Sequence, residues 1–129
     1  MIDWTDVLDI GLPEIDRQHR KLISLSNSLI QAMTIGKGKD VLSEFFEELK
    51  AYTVYHFNDE EKYMQDIGYP EFEQHRKAHG ELIQQVDDFR TELMADNVTP
   101  DQALDFINGW IINHIMNMDS QIGIFAKNK

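Results

Sequence analysis

All five histidines of the chain fall on lines of positions that a helical reading turns inward. Imidazoles without partners in a dry core would each cost about 1–3 kcal/mol, and burial opposes their charged form. A shared metal site removes this cost, because neutral imidazole is a good ligand for iron, zinc and copper. A single histidine on an apolar face is usually a satisfied core residue, but five out of five indicate a metal site. They are His19, His56, His75, His79 and His114.

Two spacings of four residues sharpen this prediction. His75 and His79 are four residues apart, as are His56 and Glu60, so each pair lies on one face of a helix. Because its neighbours are acidic, Glu60 could also be an ordinary solvated side chain. It is the only acid of that group with the four-residue spacing from His56, and we therefore predict that it is a ligand.

Asp119 follows His114 by five residues, which is a less regular spacing. On an ideal helix, five residues correspond to about 140° of rotation and about 7.5 Å of rise. This spacing is awkward for one small ion. It suits a carboxylate that reaches a second ion, or a local distortion of the helix. Taken alone, Asp119 also fits a plain helix end, because a polar tail follows it.

The number of donors favours two ions over one. Five imidazoles exceed the four ligands of tetrahedral zinc, and the two carboxylates bring the set to seven. Nitrogen and oxygen donors without sulfur favour iron over copper(I). The chain has no cysteine, which excludes disulfides, thiolate zinc sites, iron–sulfur clusters, cysteine nucleophiles and c-type haem attachment.

Four segments with helical periodicity must position these ligands. The breaks between them are short, so neighbouring helices run antiparallel. The sequence therefore predicts an all-α, up-down-up-down four-helix bundle that forms a single domain over residues 1–129. The segments span residues of about 15–35, 40–67, 70–95 and 100–118, followed by a short C-terminal turn. An N-terminal arm, residues 1–14, carries apolar side chains that can dock on the bundle: Trp4, Val7, Leu8 and Ile10.

Length and charge exclude several classes of protein. The chain has 129 residues, of which 42% are hydrophobic, and a formal net charge of −11. This charge repels phosphate backbones and anionic lipids, so we expect no nucleic-acid binding. No apolar run approaches the roughly 18 residues of a membrane helix, and the first residues do not resemble a signal peptide. We therefore expect a cytoplasmic protein without membrane insertion, and its acidity favours a monomer.

The combined ligand pattern from His19 to Asp119 resembles that of the hemerythrins, in particular the bacterial ones. The pattern consists of a single histidine after Ile-Asp-Arg-Gln, then HxxxE, HxxxH and HxxxxD. The Tyr69-Pro70 step and the arm with Trp4 are similar to the family as well. No ligand position departs from the family pattern.

The resemblance implies a non-haem di-iron centre that binds dioxygen reversibly for oxygen transport, storage or delivery, and no enzymatic activity. Glu60 and Asp119 would bridge the two irons together with a solvent-derived oxo or hydroxo group. One iron would keep an open position for dioxygen. The resemblance assigns His75, His79 and His114 to one iron, and His19 and His56 to the iron with the open position.

The resemblance also implies a pocket for dioxygen, walled by bulky apolar side chains. They lie in the turn after the first histidine and in the turn before the last. Side chains of this kind are equally typical of a bundle core, and both interpretations can hold at once. The predicted pocket residues are Leu22, Ile23, Trp110 and Ile111.

Three alternatives to an oxygen carrier with a separate oxygen-consuming recipient remain open. The first is an oxygen or redox sensor that acts through a separate partner. The second is a di-iron enzyme that consumes peroxide or nitric oxide, with Tyr52 and Tyr63 as candidate acid–base groups. The third is a histidine-rich bundle stabilised by zinc. Iron storage is disfavoured, because nothing in the sequence indicates a mineral cavity or a cage.

Overall fold

The computed structural model describes residues 9–128, and over this range it forms a four-helix bundle without strands. The predicted fold class is confirmed. Helix α1 packs against α2 and α4, and α2 packs against α3. None of the helices described is both long and apolar enough to cross a bilayer. The α-helices are α1 (Pro13–Thr34), α2 (Lys39–Asp66), α3 (Phe72–Met94), α4 (Pro100–Ile107) and α5 (Ser120–Lys127).

Short turns separate the first three helices. Gly36 and Gly68 have φ angles of 76° and 69°, the left-handed conformation in which glycine avoids the steric cost of a Cβ. The sequence predicts that the third helix begins at Pro70, but in the structure it begins at Phe72. Pro70 lies in a turn that a hydrogen bond from the Phe72 N–H to the Tyr69 carbonyl closes at 3.3 Å. Pro70, which has no backbone N–H, therefore belongs to the turn before the helix and not to the helix itself.

The start of α4 is fixed by a reciprocal pair of hydrogen bonds. The Thr99 N–H donates to Gln102 Oε1 at 2.9 Å, and the Gln102 N–H donates to Thr99 Oγ1 at 3.2 Å. This capping box satisfies two backbone N–H donors at the N-terminus of α4.

The fourth helical run differs most from the sequence prediction. It continues to Lys127. The sequence instead predicts a helix that ends at about residue 118 and is followed by a short turn. Two π-helical segments interrupt it, the first at Asn108–Ile112 and the second at Ile115–Asp119. In the second, the Ser120 N–H donates to the Ile115 carbonyl, five residues back. Each π segment accommodates an extra residue without breaking the helix.

Aromatic side chains form a ladder through the half of the bundle away from the histidines. Phe46 is buried, while its neighbour Phe45 is only half-buried. The ring centroids of Phe46 and Phe89 are 6.3 Å apart, and those of Phe89 and Phe106 are 4.6 Å apart. Phe106 then stacks on Trp110 at 6.4 Å. The ladder thus leads from the core to the level of the predicted site.

The end of the N-terminal arm packs against α5. Ile10 is buried, and its N–H donates to Asp16 Oδ1 at 2.8 Å. A Cβ atom at Gly123 would lie 2.0 Å from the Ile10 carbonyl oxygen, so only glycine allows this approach. The other apolar residues predicted for the arm, Trp4, Val7 and Leu8, lie outside the described residues.

Candidate metal centre

The structure brings all seven predicted ligand side chains together inside the bundle. Every helix contributes: α1 one histidine, α2 a histidine and a carboxylate, α3 two histidines, and the fourth run a histidine and a carboxylate. Their donor atoms form two overlapping groups within which all atoms lie within 4.8 Å of one another. The exposed fractions are 0% for His19, 1% for His56, 0% for Glu60, 1% for His75, 1% for His79, 9% for His114 and 0% for Asp119.

The first group has three imidazoles and two carboxylate oxygens. His75 Nε2 and His79 Nε2 each lie 3.2 Å from His114 Nε2. Glu60 Oε1 lies 3.0 Å from both of the α3 histidines, and Asp119 Oδ1 lies 2.8 Å from His75 Nε2. Donors that surround one first-row metal ion at about 2.1 Å have neighbouring separations of about 3 Å. Five donor atoms therefore have the spacing of one coordination shell.

The second group has two imidazoles and the other oxygen of each carboxylate. His19 Nε2 lies 3.0 Å from Asp119 Oδ2 and 3.6 Å from Glu60 Oε2. His56 Nε2 lies 3.4 Å from Glu60 Oε2. This group has one protein donor fewer than the first. Glu60 and Asp119 each direct one oxygen to either group, which is the arrangement of a carboxylate that bridges two ions.

The second π segment explains how Asp119 reaches this position. On an α-helix, a side chain five residues beyond His114 would point away from it, but a π turn closes over five residues. Asp119 Oδ1 accordingly lies 2.9 Å from His114 Nε2. The helix distortion and the carboxylate that serves two groups, which the sequence offers as alternatives, are both present.

Hydrogen bonding among the side chains leaves several buried atoms without partners. Five of these atoms make no hydrogen bond within residues 9–128: both oxygens of Asp119, Glu60 Oε2, and the Nδ1 and Nε2 atoms of His19. His19 Nε2 is only 3.0 Å from Asp119 Oδ2, yet the two atoms are not oriented toward each other. Buried carboxylates without compensation are costly. Their lone pairs converge as they would on cations, so the donor set fits a pair of metal ions.

The electrostatics of the ion-free site show the same need for positive charge. Burial lowers the pKa of His19, but the carboxylates of Asp119 and Glu60 outweigh it and raise that pKa to about 9. His75 is affected in the same way, and its pKa also rises to about 9. Burial raises the pKa of Glu60, but the four histidines around it lower it well below its usual value. Without metal, protons therefore supply the positive charge.

The outer nitrogens of two histidines have partners that the sequence analysis did not single out. His56 Nδ1 lies 2.7 Å from Gln18 Oε1, and the Gln18 amide donates to Asp59 Oδ2 at 2.7 Å. His79 Nδ1 donates to Glu61 Oε2 at 2.9 Å, since a carboxylate only accepts. Outer hydrogen bonds of this kind orient the rings of ligand histidines. The acidic stretch around Glu60 was the available signal, because one flanking acid, Glu61, contacts His79 and the other, Asp59, contacts Gln18.

A small, mostly apolar cavity of about 10 Å³ lies beside the two-histidine group. Both of that group's imidazoles line it, together with His114 and Asp119. A volume of this size is close to the space that one water-sized sphere requires. Of the predicted pocket residues, Ile23 does not line it but is buried in the core. The apolar lining consists of Leu22, Phe57, Leu82, Trp110, Ile111 and Ile115.

Two contacts fix the walls of this cavity. The Trp110 indole N–H donates to the Leu82 carbonyl at 3.2 Å, which ties the fourth run to α3. Phe57 stacks on His79 with a centroid distance of 3.9 Å and an angle of 3° between the rings. A surface groove of about 530 Å³ shares Leu82, Trp110 and His114 with the cavity. These three residues therefore lie between the cavity and this groove.

Comparisons with known proteins agree with this geometry. Residues 11–123 match the family model described as the hemerythrin HHE cation binding domain. The chain is 35% identical over 117 residues to a bacteriohemerythrin of Pseudomonas aeruginosa, covering 91% of this chain and 76% of that protein. It is 30% identical over 126 residues to a bacteriohemerythrin of Clostridium acetobutylicum, covering 94% of this chain and 98% of that one.

Solved structures give the same result. A crystal structure of wild-type hemerythrin matches with a TM-score of 0.84 at 27% identity and covers 95% of each chain. A crystal structure of a hemerythrin mutant matches with a TM-score of 0.85 at 26% identity, covering 97% of this chain and 96% of that one. The chain belongs to the hemerythrin family.

Proposed function

We propose that the chain holds two iron ions between its four helices and binds dioxygen reversibly, for oxygen transport, storage or delivery. The observation that carries this proposal is the unequal division of the donors. One group has five protein donor atoms and the other has four, and the cavity borders both histidines of the poorer group. A small molecule in the cavity would thus lie beside the ion that has room for another ligand.

Iron fits the donor set better than the other common ions. Imidazole and carboxylate donors without thiolate suit iron, and seven side chains exceed what a single tetrahedral zinc ion takes. Two carboxylates offset part of the charge of two cations in a fully buried site. When bound, an iron pair supplies two electrons to dioxygen and recovers them when the gas leaves.

The apolar side chains around the cavity would keep water and protons away from the bound gas. Leu22, Trp110 and Ile111 are all buried and all line the cavity. Excluding water suppresses proton transfer and other side reactions at a reactive ligand. Reversibility would therefore depend on how tightly these walls close.

Two features support a carrier over a di-iron enzyme. Two carboxylates with five neutral imidazoles donate less negative charge to the metals than the four glutamates of ferritin-like sites, which disfavours cleavage of the O–O bond. In addition, neither Tyr52 nor Tyr63 is among the residues that line the cavity. A sensor would use the same site and differ in its partner, so binding alone does not separate a sensor from a carrier.

The decisive experiment records visible spectra of protein loaded anaerobically with two equivalents of Fe(II). We expect a charge-transfer band that appears with oxygen, disappears under vacuum and returns over several cycles without loss of iron. A band that never forms, or that forms once and does not reverse, would contradict the proposal.

Two further measurements separate the alternatives. Sustained turnover with peroxide or nitric oxide would favour the enzyme. Zinc in place of iron, in protein purified from its host, would favour a structural metal site.

A further inference from the structure

The outer hydrogen bonds of the two-histidine group form a chain that starts at the protein surface. Asp59 lies at the exposed side of α2, three residues after His56. Its Oδ2 accepts a hydrogen bond from the Gln18 amide at 2.7 Å, and Gln18 Oε1 lies 2.7 Å from His56 Nδ1. Gln18 itself is only 1% exposed, so water does not compete for its amide.

The direction of each bond in this chain follows from the chemistry of the groups. An ionised carboxylate has only acceptors, so the group that Gln18 presents to Asp59 is its NH₂. The carbonyl oxygen of Gln18 therefore faces His56. That oxygen can only accept, so Nδ1 of His56 carries a proton, and in the neutral imidazole the lone pair is then on Nε2. Nε2 is the atom that points to Glu60 Oε2, at 3.4 Å.

We propose that Asp59 and Gln18 are positioning residues of the two-histidine site. The Asp59 carboxylate orients the Gln18 amide, and the amide holds the His56 proton on Nδ1 and so directs the Nε2 lone pair to the ion. This inference rests on the two-ion centre of the proposed function and not on oxygen binding.

The outer hydrogen bonds make the two ion sites unequal in a second respect. His79, in the three-histidine group, donates from Nδ1 directly to the Glu61 carboxylate at 2.9 Å. A carboxylate partner raises the basicity of a ligand imidazole more than a neutral amide does. With five donors and a charged outer partner, the three-histidine site fills first. Gln18 and Asp59 then control the affinity for the second ion.

The test titrates the metal-free protein with Co(II), with calorimetry and the visible spectrum as readouts. We expect two binding steps in the wild type. Gln18→Leu should weaken the second step by about 10–100-fold and leave the first unchanged, and Glu61→Gln should weaken the first. The matched controls are Gln84→Leu and Asp88→Asn, because Gln84 donates to Asp88 in an exposed pair on α3.

A double-mutant cycle identifies the role of Asp59. Asp59→Asn should weaken the second step, because an asparagine amide can turn to accept or donate and no longer fixes Gln18. In a Gln18→Glu background, residue 18 presents a carboxylate oxygen to His56 whichever residue occupies position 59. Adding Asp59→Asn there should therefore cause no further weakening of the second Co(II) step. An equal effect of Asp59→Asn in both backgrounds would show a simple loss of charge and overturn the inference.

A structural readout completes the test. In the zinc-loaded protein we expect a downfield, slowly exchanging proton on His56 Nδ1 that Gln18→Leu removes and Gln18→Glu retains. If Gln18→Leu weakens both Co(II) steps equally, or neither, the positioning role is wrong while the two-ion centre stands. Binding of a single Co(II) by the wild type would contradict the centre itself.

Discussion

At the scale of single residues, each carboxylate of the centre places one of its oxygens in each of the two donor groups. Glu60 Oε1 lies among the three histidines of one group, and Oε2 lies between His19 and His56 of the other. Because each group has an oxygen from the same side chain, we expect a change at Glu60 to affect metal binding in both groups. We expect a change at an outer partner such as Gln18 to affect only one.

The wall of the cavity gives a prediction at this scale. Ile111→Ala should shorten the lifetime of the oxygen-dependent absorption band in the iron-loaded protein, because the larger cavity admits water. It should also lower the free energy of unfolding by about 2–5 kcal/mol. Rates of band decay in air and denaturant unfolding measure the two effects.

Ile30→Ala is the matched control, since Ile30 is equally buried in the core but does not line the cavity. It should lose comparable stability and keep the wild-type decay rate. Equal decay rates in both variants and the wild type would remove Ile111 from the pocket.

The sequence is informative about residues whose type and spacing are unusual, and uninformative about ordinary polar ones. Histidines on apolar lines stand out, and the structure places all five together. Gln18 does not stand out, because its burial depends on the rotation of α1 against α2, which local periodicity does not define. Phe57 and Leu82 are missed among the cavity residues for the same reason.

At the scale of elements, close packing between the arm and α5 depends on a position without a side chain. Gly123 lies against the Ile10 backbone, and a Cβ there would approach the carbonyl oxygen to 2.0 Å. Backbone cannot give way as a flexible side chain can. Gly80, in the middle of α3, has no heavy atom within 4 Å of its hypothetical Cβ.

The two glycines therefore predict opposite effects of one substitution. Gly123→Ala should lower the free energy of unfolding by about 1–3 kcal/mol, because the arm must move away. Gly80→Ala should raise it by about 1 kcal/mol, through helix propensity alone. Denaturant melts of the two variants measure the difference. A Gly123→Ala variant as stable as the wild type would contradict the packing of the arm, and a destabilised Gly80→Ala variant would contradict the open space beside α3.

The fourth run shows where element prediction from sequence stops. Its apolar spacing up to residue 118 indicates a helix, and Asp119 with its polar tail indicates an end. The helix instead continues to Lys127 through two π segments. A π turn has no distinctive local composition, since it is stabilised by what its side chains contact in the folded bundle. The odd five-residue spacing of His114 and Asp119 was the only trace of it.

At the scale of the whole molecule, a chain with a net charge of −11 buries two of its carboxylates at its centre. In the metal-free protein, Asp119 and Glu60 raise the pKa of His19 and His75 to about 9, above the usual value of about 6.5. The stability that these protonated histidines contribute is present below about pH 6.5. It is lost as the pH rises through about 9.

The pH dependence of metal uptake follows. At pH 7, two zinc ions entering the metal-free protein must displace the protons of His19 and His75, so we expect about two protons released per chain. At pH 10 this release should vanish. Calorimetry in two buffers that differ in ionisation enthalpy counts the protons.

The metal-free protein should also unfold more easily at pH 10 than at pH 7, whereas the zinc-loaded protein should not. Proton release that does not change between the two pH values would show that these histidines are neutral before metal enters.

The second π segment has a consequence for how this helix can vary. Its closure depends on the number of residues between His114 and Asp119, while Met116 and Asn117 within it are exposed. Replacing either of these side chains leaves the backbone path intact. Removing one residue would give an ordinary α turn with the four-residue spacing of His56 and Glu60, so the carboxylate would stay on the face of His114. Adding one residue would instead rotate everything downstream by about 100°, carrying the Asp119 carboxylate out of the centre and Gly123 away from the arm. This stretch therefore tolerates changes of side chain and the loss of a residue better than the gain of one.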